Sequence, residues 1–185
     1  KKKPAAVAES LCRFITEKRI AKEPIHGAFF GNIPPPIPMT GPFCFGGFQM
    51  AMSFSAVEQI VNGFTTMSAA LKEKFKESAA QVAFSVTIGP DFFMELAKLR
   101  AIRIVWRKFL EATKSTVETP LVIHAYSRPW TEKNYEPHGN MLKSTTAAMS
   151  AILGGCDTLT IEPENAAQAM MARGARNVSN ILREE

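Results

Sequence analysis

Apolar residues fall every three to four positions in some stretches of this chain and cluster as short β-branched runs in others, and the two patterns alternate from Ser55 onward. The first spacing is that of one helix face, the second that of a strand. A first helix is expected from Pro4 to about Ile20, with Val7, Leu11, Phe14 and Ile15 on one side and Glu9, Arg13, Glu17 and Lys18 elsewhere. From Ile25 to Gly47, the glycines Gly27, Gly31, Gly41, Gly46 and Gly47, the run Pro34-Pro35-Pro36, and Pro38 and Pro42 predict irregular backbone for most of the segment. A helix then runs through Val57, Ile60, Val61, Phe64, Met67 and Leu71, between Ala56 and Phe75. Val82 to Ile88 reads as a strand ending at Gly89-Pro90, and Asp91 caps a helix from Phe92 to about Ala112. Leu96, Leu99, Ile102, Trp106, Phe109 and Leu110 form its apolar face, with Glu95, Lys98, Arg103, Arg107 and Lys108 largely off that face. A strand at Leu121–Tyr126, a polar loop, and a helix from about Asn140 to Leu153 closed by Gly154-Gly155 come next. A strand at Cys156–Ile161 and a helix from Ala166 to Glu185 complete the pattern, the helix turning Met170, Ala175, Val178, Ile181 and Leu182 inward, and Phe93, Leu96, Leu99, Trp106, Met149 and Ile181 are expected in the core.

Repeated strand-then-helix units are the signature of a parallel sheet, either part of an eight-fold barrel or an open doubly wound sheet. Both place ligands beyond the carboxyl ends of the strands, which directs attention to Gly89-Pro90-Asp91, to the run from Ser127 to His138, and to Glu162-Pro163-Glu164. The 185 residues read as a single domain, irregular over 1–54 and built of βα units over 55–185.

Composition narrows the function classes. Apolar residues make up 46% of the chain, enough for a real core. The formal charge of +5 owes more than half its excess to Lys1-Lys2-Lys3, and both signs are otherwise scattered, so no nucleic-acid footprint results. Cys12, Cys44 and Cys156 are odd in number and too widely spaced for a zinc or redox pair, so each is expected to be a small buried hydrophobe and no metal site is expected. No apolar run approaches the roughly 20 residues that span a bilayer, and the N-terminal stretch is charged where a signal peptide is apolar, so a cytoplasmic protein is expected.

Candidate chemistry concentrates after the strand at 121–126. His124 and Tyr126 stand at its end, and Ser127, Arg128, Trp130, Lys133, Tyr135 and His138 follow, a set able to hold an anion and stack on a ring. A wet structural loop reads the same residues equally well. His124 acts as a proton-transfer group only with a partner that sequence does not place. Gly46-Gly47 and Gly154-Gly155 lack the spacing of a phosphate-binding loop.

Several blocks resemble one family. Asp91-Phe92-Phe93-Met94-Glu95-Leu96-Ala97-Lys98-Leu99-Arg100-Ala101, continuing to Arg103 and Trp106, is similar to a segment of the methylmalonyl-CoA mutase barrel. The similarity resumes at Trp130-Thr131-Glu132, at Asn140 to Ala151, at Gly154-Gly155-Cys156-Asp157-Thr158-Leu159, and at Ala172 to Asn177 with Ile181 to Glu185. It extends loosely upstream through Ser55-Ala56-Val57-Glu58-Gln59-Ile60. The resemblance implies an α/β fold, part of a (β/α)8 TIM-type barrel of which this chain covers about half. In that family an acyl-CoA threads the barrel and faces adenosylcobalamin held by a separate domain. His124, Tyr126, Arg128 and Lys143 are the residues it suggests for substrate binding.

The departures from the family pattern bear on function. Phe48-Gln49-Met50-Ala51 lies where catalytic chains carry a Tyr-His pair, Val122 where they use an arginine toward the CoA, and Tyr126 where they use a glutamine. Ala147 replaces a glutamate near the adenosyl group, and Thr160 a histidine. The chain also lacks an Asp-x-His-x-x-Gly segment, which supplies the lower axial ligand of cobalt. The resemblance is therefore greatest to the non-catalytic small subunit, with no catalytic residue of its own. It implies a homologous large catalytic subunit as partner, or a homodimer, and adenosylcobalamin on that partner. Two other readings stand beside it: an active acyl-CoA mutase fragment relying on Gln49 or His124, and a CoA-binding module without catalysis. No membrane or nucleic-acid partner is expected.

Overall fold

The computed structural model describes residues 4–18, 27–30, 43–50, 55–71, 82–114, 121–127, 137–162, 176 and 180. Helix α1 is Pro4–Glu17. Strands β1 (Gly27–Phe30) and β2 (Phe43–Met50) precede helix α2 (Ala56–Leu71). Strand β3 (Val82–Ile88), helix α3 (Phe92–Ala112), strand β4 (Val122–Ser127), helix α4 (Pro137–Leu153) and strand β5 (Thr158–Ile161) follow. Asp91 caps α3 as expected, its side chain accepting from the Met94 amide at 3.3 Å.

The five strands are all parallel and lie in chain order, β1-β2-β3-β4-β5. A doubly wound sheet would reverse direction at a switch point, and this order has none. The sheet also curls. Phe30 of β1 meets His124 of β4 with ring centroids 5.4 Å apart. Across a flat sheet those strands would stand about 14 Å apart, at roughly 4.8 Å per strand. The chain therefore forms part of a βα barrel, with the sheet curved but not closed.

The expectation of irregular backbone for most of Ile25 to Gly47 is corrected at residues 27–30 and 43–47, since β1 lies within that segment and β2 begins in it. Glycine is depleted in strands, and Gly46-Gly47 inside β2 hid its alternation. Gly47 pairs with Phe30, and its missing side chain leaves the inner side of β2 bare in the row where Phe30 turns toward His124. The proline run falls between the strands, outside the described residues, as does most of the helix expected from Ala166 to Glu185.

Helices α2, α3 and α4 cover one face of the sheet. Phe64 and Met67 of α2, Leu99, Ile102 and Trp106 of α3, and Ala147 and Ala151 of α4 form one core with Met50, Phe84, Val86, Ile88, Ile123 and Ala125. Rings carry much of that contact: Phe64 lies 5.1 Å from Phe84 and 6.0 Å from Phe109, and Trp106 stacks on Phe109 at 6.2 Å. Two positions expected in the core are not there. Phe93 is 79% exposed and Met149 43% exposed, because each sits roughly half a turn from its helix's buried stripe. Leu96 is half-buried on the flank of that stripe, and Ile181 is outside the described residues.

Glu95 and Lys98 are buried instead, reversing their expected placement off the inner face. The Lys98 ammonium pairs with Glu95, donates to Gln59 Oε1 at 2.8 Å and to the Thr87 carbonyl at 2.9 Å. Gln59 in turn donates to the Met50 carbonyl at 3.4 Å. Burial holds the Lys98 amine below its usual range, with the Glu95 carboxylate partly restoring it. A second clamp sits at the opposite end of the strands. Arg103 reaches the carbonyls of Leu121, at 3.0 Å, and Gly155, and pairs with Asp157 at 3.0 Å. Asp157 also accepts from the Ile123 amide at 2.7 Å. Gly154 lets α4 lie close to α3, since a Cβ there would stand 2.8 Å from Leu99 Cδ1.

Two stability outcomes follow. Leu99→Ala is expected to cost about 2–5 kcal/mol, and Phe93→Ala no more than about 0.5 kcal/mol, in urea unfolding; equal losses would contradict the assigned helix face. Lys98→Met is expected to cost about 3–5 kcal/mol by stranding Glu95, and the double variant Lys98→Met/Glu95→Leu to recover most of it. No recovery in the double variant would mean that the charge pair itself is indispensable.

Candidate functional site

The sheet face turned away from the helices would line the barrel interior, and strand alternation decides which side chains reach it. Register puts Gly47, Ala83 and Val122 in one row, Gln49, Ser85, His124 and Thr158 in the next, and Thr87, Tyr126 and Thr160 in the one nearest the carboxyl ends. The intervening residues Phe48, Phe84, Ile123 and Leu159 face the helices.

His124 Nδ1 lies 2.8 Å from Thr158 Oγ1. Burial lowers the His124 pKa from its ordinary 6.5, so the imidazole is neutral at physiological pH. The His124 and Tyr126 rings lie nearly parallel, 11° apart, with centroids 6.5 Å apart. Gln49 Nε2 donates to the Tyr126 hydroxyl at 3.0 Å. Thr87 Oγ1, in the same row as Tyr126, is buried and has no hydrogen-bond partner among the described residues. The described interior thus offers amide, hydroxyl and neutral imidazole groups. None of its described residues is acidic or basic apart from that uncharged imidazole. Such a face can orient a neutral polar group but supplies no cation for a carboxylate.

Of the four substrate-binding candidates, His124 and Tyr126 come together on this face. Arg128 lies outside the described residues. Lys143 is half-buried on α4, one and two turns before Ala147 and Ala151, on the stripe that faces the sheet near the carboxyl rim. Among the positions that depart from the family pattern, Gln49, Val122, Tyr126 and Thr160 share the interior face. Phe48 and Ala147 do not, since both belong to the helix-side core. Lys98 is spent inside the helix–sheet layer, and Arg100 reaches the Leu153 carbonyl at 3.4 Å on the outer side.

The sequence reading missed Phe30, Ser85, Thr87 and Thr158. For three of them the signal was present: Ser85 and Thr87 alternate with Phe84 and Val86, and Thr158 with Leu159. Phe30 carried none, because its partner lies three strands away. Burial, aided by the Asp157 carboxylate, pushes the Cys156 thiol up to about 11, which fits the expected inert cysteine. Among the described residues no three His, Cys, Asp or Glu side chains gather as a metal site, and no helix is long and apolar enough to cross a membrane.

The family model described as methylmalonyl-CoA mutase matches residues 56–185. The methylmalonyl-CoA mutase of Rhizobium meliloti is 34% identical over 113 residues, which cover 58% of this chain and 16% of that protein. The methylmalonyl-CoA mutase small subunit of Porphyromonas gingivalis is 32% identical over 119 residues, covering 60% of this chain and 19% of the relative. That of Streptomyces virginiae is 33% identical over 114 residues, covering 60% and 18%. The chain thus spans less than a fifth of the length of these relatives. The match takes in α2 through β5, which build the core and its two polar clamps together with Met50 of β2, and the chain belongs to the methylmalonyl-CoA mutase family.

Proposed function

We propose that this chain is a non-catalytic, small-subunit-like part of an adenosylcobalamin-dependent methylmalonyl-CoA mutase, supporting a homologous catalytic subunit. The observation that carries this reading is the chemistry of the interior face. A mutase acting on a methylmalonyl thioester must hold a carboxylate and manage charge near the reacting carbons. Gln49, Val122, Tyr126 and Thr160 occupy interior positions without an ionised group, and His124 is neutral and engaged with Thr158. Losing a positioned acid or charge donor typically costs roughly 10²-fold or more in rate. The resemblance of two relatives named as small subunits supports the same reading.

Association with a partner would use the outer helix surface. Phe93 and Ile104 of α3 are 79% and 52% exposed, and Leu142 and Leu153 of α4 are 67% and 53% exposed. Exposed apolar side chains in such number on adjacent helices fit a protein-contact surface. Adenosylcobalamin would sit on the partner, since these 185 residues carry no Asp-x-His-x-x-Gly segment. When bound there, the cofactor supplies the radical chemistry, and this chain's residues contribute fold and interface.

The test has two parts. The chain is expected to co-elute stoichiometrically with the cobalamin-dependent catalytic subunit of the same organism, and to show no visible cobalamin absorbance after desalting from adenosylcobalamin on its own. It is also expected to give no succinyl-CoA isomerisation when adenosylcobalamin and a separate cobalamin-binding domain are added. Turnover that disappears in Gln49→Ala or His124→Ala would overturn the non-catalytic reading in favour of an active barrel fragment.

A further inference from the structure

Two contacts cross the barrel interior instead of following the sheet. Phe30 of β1 meets His124 of β4, ring to ring, at 5.4 Å. Gln49 of β2 donates to the Tyr126 hydroxyl of β4 at 3.0 Å. The two receiving rings are stacked on each other, and His124 is tied onward to Thr158 of β5. Phe30, His124, Tyr126 and Gln49 therefore form a bridge from the β1–β2 wall to the β4–β5 wall, across three successive rows.

We propose that Phe30 and Tyr126 are gatekeepers that close the interior of this chain to an elongated thioester ligand. The inference rests on the non-catalytic reading above and gives it a physical cause, namely occupied space in addition to missing charge. A ligand lying between the β1–β2 and β4–β5 walls meets the Phe30–His124 ring contact and the Gln49–Tyr126 hydrogen bond in its path. Thr87 marks what lies behind the bridge. Its hydroxyl is buried, has no hydrogen-bond partner among the described residues and is in register with Tyr126, so removing the phenol ring exposes a hydrogen-bonding group to the cleared space.

Calorimetric titration of coenzyme A into the 185-residue chain tests this, alongside Tyr126→Ala, Phe30→Ala, the double variant, and Gln49→Ala. Wild type is expected to bind at least about tenfold more weakly than the double variant, a difference of about 1.4 kcal/mol. Tyr126→Ala alone is expected to gain more than Gln49→Ala, which removes the hydrogen bond and leaves the ring. Circular dichroism and a cooperative melt establish that each variant folds. If the double variant does not fold, Tyr126→Ala decides, its half-buried side chain being the milder deletion. Wild-type binding as tight as that of the variants, or no gain in any folded variant, would overturn the assignment. A failure to gain binding removes the gatekeepers and leaves the non-catalytic reading standing, whereas wild-type turnover would remove both.

Discussion

A lysine ammonium buried where α2, α3, β2 and β3 meet is the constraint on which this architecture turns. Stripping water from a charge is tolerable only when every donor finds an acceptor, and Lys98 finds three, in Glu95, Gln59 and the Thr87 carbonyl. The directions of those bonds fix how far α3 stands from the ends of β2 and β3, because Gln59 passes the tie on to the Met50 carbonyl. Residues one step from those anchors, Gln49 next to Met50 and Thr87 itself, are the ones the interior presents. The opposite ends of the strands are fastened by Arg103 and Asp157, so β4 is held at its start by polar contacts and along its length by the core.

This division of labour gives the charged residues of the recognisable family segments a structural task. Glu95, Lys98, Arg103 and Asp157 belong to the most recognisable blocks, and all four are engaged in holding helices to strands. The interior positions can differ in chemistry without disturbing that frame, since they point away from it. A barrel can accordingly keep its packing while its lining becomes neutral and aromatic, which is the condition of Gln49, Val122, Tyr126 and Thr160.

Local pattern made β3, α3 and β4 legible, because Val82–Ile88 is β-branched, Asp91 offers a cap and Leu99, Ile102 and Trp106 repeat at helical spacing. The same pattern put His124 and Tyr126 at the end of a strand, where the structure places them. It failed at β1 and β2, where glycines erase the alternation that marks a strand. It failed at Glu95 and Lys98 as well, since charges spaced i, i+3 on a helix look solvated until the partners on α2 and β3 are known. Phe93 was misplaced for the complementary reason: apolar character alone does not say which side of a helix faces inward. The Phe30–His124 contact was beyond reach of any local rule, being a product of sheet curvature.

The unbroken strand order carries a kinetic consequence. Every ladder joins segments separated by no more than roughly 40 residues, so loop-closure entropy is modest at each step and no pairing waits on a distant part of the chain. Each βα unit can dock on the edge left by the one before it, and assembly can advance from the N-terminal side while later units are still emerging from the ribosome. The exposed edge then migrates with the growing chain, from β2 to β3 to β4, and each intermediate leaves one parallel edge as the template for the next strand.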